Sequence, residues 1–173
     1  MENKKDVLLE TIEEIEKCLD AELYLVALSM SLTLPDVCGK AEYPGENVGK
    51  RYKQWYNNYV ANKPTSPYAA DMPYLSGEVV YSLRNSLLHS VNPNITKKGI
   101  QDSQCKIDNF KIKVGRSLFG DTSCVTYGAN KNVTERGYEV NARLLCMRLC
   151  KAAKEYYLNN KQKFHFFNYT LIE

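Results

Sequence analysis

Up to residue 90 the apolar residues of this chain recur at helical spacing, and beyond residue 105 they alternate. That change of period constrains the fold most, because a helix face and a strand face demand incompatible spacings. Val7, Leu8, Ile12, Ile15 and Leu19 predict an amphipathic helix over 7–19, with glutamates on its other face. Residues 22–34 are apolar almost throughout, which predicts a second helix buried on most sides. Pro35 is expected to stop or kink it, and Pro35, Gly39, Pro44 and Gly45 make the following stretch read as loop or broken helix. A third helix is expected over 47–61, with Tyr52, Trp55, Tyr56 and Tyr59 along one stripe. Ser76 is a suitable N-cap for a fourth over 76–90, which Asn92-Pro93-Asn94 ends.

In the C-terminal half, Phe110, Ile112 and Val114 alternate with Lys111 and Lys113, the pattern of an edge strand. Residues 123–128 are its expected partner through a turn near 115–121, helical spacing returns over 138–159, and the tail from Lys163 to Ile172 reads as a short third strand. The expected fold is mainly α: an up-and-down bundle of about five helices with a small β-hairpin or strand insertion in the C-terminal half. Residues 1–173 are expected to form a single domain, with a helical core of 5–92 and 137–160 and a β insertion of 105–128.

Composition supports one globular domain with a proper core: 173 residues, 44% hydrophobic and 25% charged. The net charge of +3 permits contact with nucleic acid without demanding it. Acidic residues gather in the first twenty positions, and basic ones at Lys50, Arg51 and Lys53 and over 97–116. No apolar run has the length of a membrane span and no secretory core opens the chain, so a soluble, cytoplasmic protein without a membrane partner is expected. Its six cysteines are then expected as reduced thiols. With no C-x-x-C pair and two histidines in all, neither a metal nor another cofactor is expected.

The segment with most chemistry is Arg84-Asn85-Ser86-Leu87-Leu88-His89. On a helix, Val79, Val80, Leu83, Leu87 and Val91 form the apolar stripe and Glu78, Ser82, Asn85 and His89 a polar row opposite. Arg84 lies beside the stripe near Tyr81 and Leu88, about 140° from His89 at 100° per residue. The two converge if the long arginine reaches around, if the last turn opens, or if a second copy brings its own helix across a dimer axis. Histidine shuttles a proton near neutral pH, and arginine grips phosphate with two parallel hydrogen bonds. Together they suit metal-free cleavage of RNA through the ribose 2′-OH. Asn85 is placed to orient the imidazole or hold a phosphate oxygen.

Arg84-x4-His89, with a polar residue directly after the arginine, resembles the Arg-x4-6-His signature of HEPN domains. The flanking stretches LTLPDVCGKAEYP, RYKQWYNNYV and LSGEVVYSLRNSLLHS look like a little-described bacterial branch of that superfamily, over about residues 22–92. The resemblance implies a helical bundle, and either a metal-independent endoribonuclease or a non-catalytic module that binds RNA, a nucleotide or a protein. It further implies a homodimer with facing motifs and a toxin–antitoxin or phage-defence setting, with a protein antitoxin as a further partner. Tyr81 and Leu88, apolar but off the main stripe, are the expected dimer contacts. The strands after residue 100 are foreign to a minimal HEPN bundle.

The bland alternatives are equally concrete. Arg84 and His89 can instead cap helix ends. Asp36 and Lys40 line the motif's cleft or sit in a plain loop. Lys50, Arg51 and Lys53, interleaved with Tyr52, Trp55 and Tyr56, form an RNA-stacking surface or the solvated flank of core aromatics, core spacing favouring the latter. His165, among Phe164, Phe166 and Phe167, is expected to pack rather than react.

Overall fold

The computed structural model describes residues 6–61, 72–90, 95, 107–117 and 119–166. Helix α1 (Val7–Asp20) is capped by Asp6, whose carboxylate accepts from Leu9 N, and it buries Leu8, Ile12, Ile15 and Leu19 as one stripe. The Tyr157 hydroxyl donates to the same Asp6 side chain and ties the start of α1 to the last helix.

The second expected helix is shorter than its expected range. Helix α2 (Tyr24–Ser31) buries Tyr24, Ala27, Leu28 and Ser31 but leaves Leu23, Leu25, Val26 and Met30 exposed, so it is not buried on most sides. Helix α3 (Leu34–Glu42) follows at once and occupies the stretch read as loop or broken helix. Pro35 starts α3 instead of ending α2, because a first-turn residue has no intrahelical use for the N–H that proline lacks. Helix α4 (Val48–Tyr59) is capped by Asn47, which accepts from Lys50 N at 2.9 Å, and it buries Tyr52, Trp55 and Tyr56 completely. Helix α5 (Gly77–Ser90) begins where the Ser76 hydroxyl accepts from Val79 N, and it buries Val79, Val80, Leu83 and Leu87.

A three-stranded sheet comprises β1 (Asn109–Lys113), β2 (Thr122–Tyr127) and β3 (Val133–Asn141), in the order β1-β3-β2. The expected pairing of the first two strands does not occur. Strand β3 lies between them, antiparallel to β2 with Cys124 opposite Gly137, and parallel to β1 with Phe110 opposite Tyr138. Helix α6 (Ala142–Asn159) therefore starts later than expected, because residues up to Asn141 belong to β3. Asn141 makes the switch: its backbone is extended and its side chain accepts from Leu144 N at 3.2 Å. After α6 a 3-10 turn (Lys161–Lys163) leads to Phe164, so no strand forms over 163–166, and the rest of that expected strand lies outside the described residues.

The architecture is mixed α/β with helices in the majority. One buried cluster takes residues from every helix and from β1 and β3. No described helix is long and apolar enough to cross a membrane.

Two glycines set the spacing around α4. A Cβ on Gly39 would lie 2.8 Å from the Arg51 carbonyl oxygen, and one on Gly77 would lie 2.6 Å from the Lys53 carbonyl oxygen and 2.9 Å from Lys53 Cα. These contacts are with backbone, so they cannot be relieved by a rotamer change. Gly77→Ala is therefore expected to destabilise the fold by about 1–3 kcal/mol in urea unfolding. Gly45→Ala, where nothing lies within 4 Å, should stay within about 0.5 kcal/mol of the parent. Equal midpoints for the two variants would contradict the close approach of α4 and α5.

Candidate functional site

The apolar stripe of α5 faces the core, which turns Arg84 sideways along the bundle toward α3. Its Nη2 lies 2.9 Å from Asp36 Oδ2, and its Nε donates to the same oxygen at 3.1 Å. Nη1 donates to Asn85 Oδ1 at 3.0 Å. Both partners are largely shielded, with side-chain exposures of 20% for Arg84 and 18% for Asp36. Asp36 Oδ1 is buried without a hydrogen bond, and so is Nε of Arg51, the next cation that Asp36 feels. Burial raises the Asp36 pKa, and attraction to Arg84 and Arg51 only partly offsets it.

Tyr52 lies against this group. It is fully buried, its hydroxyl donates to the Leu32 carbonyl at 3.1 Å, and burial together with the Asp36 charge drives its pKa well up. Tyr81 packs on it at 5.1 Å between centroids and also covers Gly49. Of the pair expected at a dimer contact, Tyr81 is half-buried against α4 and Leu88 is exposed.

Of the seven residues singled out by sequence, Arg84, Asn85, Asp36 and Arg51 come together. The remaining three stand apart. Lys40 is exposed with its Nζ 4.6 Å from the Phe166 ring centre, and Lys50 pairs with Glu46 at 2.6 Å. His89 is exposed in the last turn of α5, with no contact to Arg84 within the chain among the described residues. Tyr52, Trp55 and Tyr56 are core rather than an exposed stacking surface, and Lys53 pairs with Glu78 at 2.8 Å. His165 meets the Phe166 ring edge-on at 6.3 Å between centroids but is exposed rather than buried, because the turn after Lys163 points Phe164 inward. Cysteine is poorly suited as the nucleophile in the core, where burial pushes Cys146 up to about 11 and Cys150 up to about 12. Among the described residues, no group of three or more His, Cys, Asp or Glu side chains forms a metal cage.

A second polar cluster escaped the sequence reading. Asp121 accepts from Tyr138 OH at 3.0 Å, from Asn141 N at 2.9 Å and from Arg148 Nη2 at 2.6 Å. The signal available was Arg148 itself, one cation inside the apolar run from Leu144 to Cys150.

A scan against protein-family models, a search of curated proteins and a search of solved structures each found no match for this chain.

A carboxyl whose pKa rises on folding holds its proton more tightly in the folded chain. Its contribution to stability is complete below its ordinary value of 3.8 and is lost as pH climbs through the raised value. Asp36→Asn has no such proton to lose. Its stability relative to the parent should therefore improve as pH rises from below 3.8 toward neutrality, measured as urea midpoints across that range. A difference that moves the other way would mean that attraction to Arg84 outweighs burial.

Proposed function

We propose that this chain is a HEPN-like, metal-independent endoribonuclease acting as a homodimer. One observation carries the reading: on a single helix, Arg84 is held by Asp36 and Asn85 while His89 remains exposed. Asp36 occupies the Nε and Nη2 edge of the guanidinium and so fixes its plane. The Nη1 edge rests on Asn85, a neutral partner that a phosphate oxygen can displace, since a charged acceptor makes the stronger hydrogen bond.

In this reading His89 takes the proton from a ribose 2′-OH. The 2′-oxygen forms a bond to the adjacent phosphorus and the bond from phosphorus to the 5′-oxygen breaks. The departing 5′-oxygen takes up a proton from imidazolium or water. Arg84 stabilises the charge that grows on the phosphate during the exchange. The angular separation of Arg84 and His89 on one helix is met by a second copy, whose own motif completes the pair; exposed Leu88, beside His89, is compatible with such a contact. The toxin–antitoxin or phage-defence setting belongs to the same resemblance.

A second reading has its own support. Arg84 is already committed to a shielded carboxylate and does not touch His89, as befits a module that binds RNA or a nucleotide without cutting it.

The pure chain incubated with mixed RNA in EDTA is expected to produce 2′,3′-cyclic phosphate and 5′-OH ends. His89→Ala should lower the rate about 10²–10⁴-fold through lost proton transfer. Arg84→Ala should lower it about 10²–10³-fold, and Arg84→Lys should restore only part, because a point charge replaces a planar fork. A 2′-deoxy substitution at the cut site should abolish cleavage. Inhibition by EDTA, or cutting of the deoxy substrate, would refute the mechanism. Arg84-dependent binding of RNA without cleavage would establish the binding module in its place.

A further inference from the structure

Sharing no lining residue with the Arg84 group, a pocket of about 220 Å³ opens between α4, β3 and α6, lined by Tyr56, Val60, Leu75, Asp121, Tyr138 and Arg148. We propose that this pocket binds a small organic oxyanion, a carboxylate or a phosphate monoester, through Arg148 and Tyr56. The proposal does not depend on the ribonuclease reading.

The donors and acceptors in the pocket do not balance. Asp121 is satisfied, with three hydrogen bonds on its two oxygens and only 11% of its side chain exposed. Arg148 is not satisfied. Of its five N–H donors, Nη2 serves Asp121, while Nε is buried with no partner. A buried donor left without an acceptor is unfavourable, and a ligand oxygen at that position relieves it. Tyr56 lines the same pocket, and burial raises its pKa so that its hydroxyl stays a neutral donor.

The site is rigidly built. Asn141 donates to the carbonyls of Ser117 and Phe119 at 2.8 and 3.0 Å, its N–H holds Asp121, and its side-chain oxygen caps α6. The guanidinium is thereby anchored through Asp121 to a fixed loop, which lowers the entropic cost of using it to hold a ligand. The exposed part of Arg148, 41% of its side chain, leaves a route in from solvent. The volume corresponds to about seven waters at liquid density, more than a bare phosphate fills. An oxyanion carrying a short polar skeleton fits better, its acid group on Arg148 and the rest against a lining that is mostly polar.

The test is a nuclear magnetic resonance titration of the full chain at constant ionic strength, with inorganic phosphate in one arm and acetate in the other. A saturable shift of the Arg148 Nε–H signal is expected in at least one arm, and the arm that responds identifies the acid. Arg148→Gln should weaken binding about tenfold or more, as should Arg148→Lys, which keeps the charge but loses the fork. Tyr56→Phe keeps the packing and should weaken it about threefold or more. Because the last two variants conserve shape or charge, they remain informative if Arg148→Gln does not fold. Lys17→Gln, at an exposed position of α1, should bind as the parent does. No saturable shift with either anion up to about 20 mM, or undiminished affinity in Arg148→Lys and Tyr56→Phe, would overturn the proposal.

Discussion

Helix α4 carries Tyr52, Trp55 and Tyr56 into the core, and its backbone is pressed on one flank by Gly39 of α3 and on another by Gly77 of α5. Burying three aromatic side chains contributes strongly to stability, but only where the neighbouring helices come close enough to enclose them. The two glycines permit that approach. A side chain at either position would meet backbone and hold the helices apart. The site depends on the same spacing: Asp36 sits one turn before Gly39 and Arg84 two turns after Gly77, and both act electrostatically on Tyr52 of α4. The packing that buries the aromatic face thus also brings an α3 carboxylate to an α5 guanidinium.

The parts of the fold legible in the sequence were those decided locally. Helices α1, α4 and α5 each show an apolar stripe, and Ser76 marks the start of α5 through its own hydroxyl. The parts that were not legible depend on neighbours distant in the chain or on a residue with two meanings. Pro35 can end one helix or open the next, and only the onset of α3 at Leu34 decides. Val140 fits a strand pattern and a helix pattern equally, and the pairing of β3 with two partners claims it for the sheet. Strand order cannot be read from alternation, so a simple hairpin was expected where β3 inserts between β1 and β2. In the site, Arg84 and Asn85 are visible in the motif and Asp36 as a residue of its cleft, whereas Arg51 reads in the sequence only as part of a basic stretch among aromatics. That Asp36 would take one whole edge of the guanidinium depended on the helix spacing.

The Arg84–Asp36 pair is poorly explained by stability alone. Burial raises Asp36 despite the guanidinium beside it, so holding the ionised form there is unfavourable on balance. An unpartnered Asp36 Oδ1 and an unpartnered Arg51 Nε add to that unfavourable balance. A leucine pair at the positions of Asp36 and Arg84 would fill the space and leave no unpartnered carboxylate oxygen there. Charged groups kept under strain at a half-shielded position are the usual mark of a working site, although structural ion pairs share it. The perturbed Asp36 carboxyl thus supports, separately from any motif, the role proposed for Arg84.

The Asp36 and Asp121 clusters differ in what they lack. At Asp121 the carboxylate is saturated by three donors and the unmet group is an arginine N–H, so the cluster has room for an acceptor. At Asp36 the unmet groups are a carboxylate oxygen and the Arg51 Nε, one acceptor and one donor. Both Arg84 and Arg51 nevertheless act on the single negative charge of Asp36, so the cluster keeps an excess of positive charge when all three are ionised. An anionic ligand is therefore favoured at both places for different reasons: at Arg148 by an unfilled hydrogen bond at a nearly neutral pair, and at Arg84 by net charge. Raising the salt concentration screens the second far more than the first, because a short hydrogen bond to a shielded donor owes little to long-range attraction. The ionic-strength dependence of anion binding is thus the property that separates the two clusters most directly.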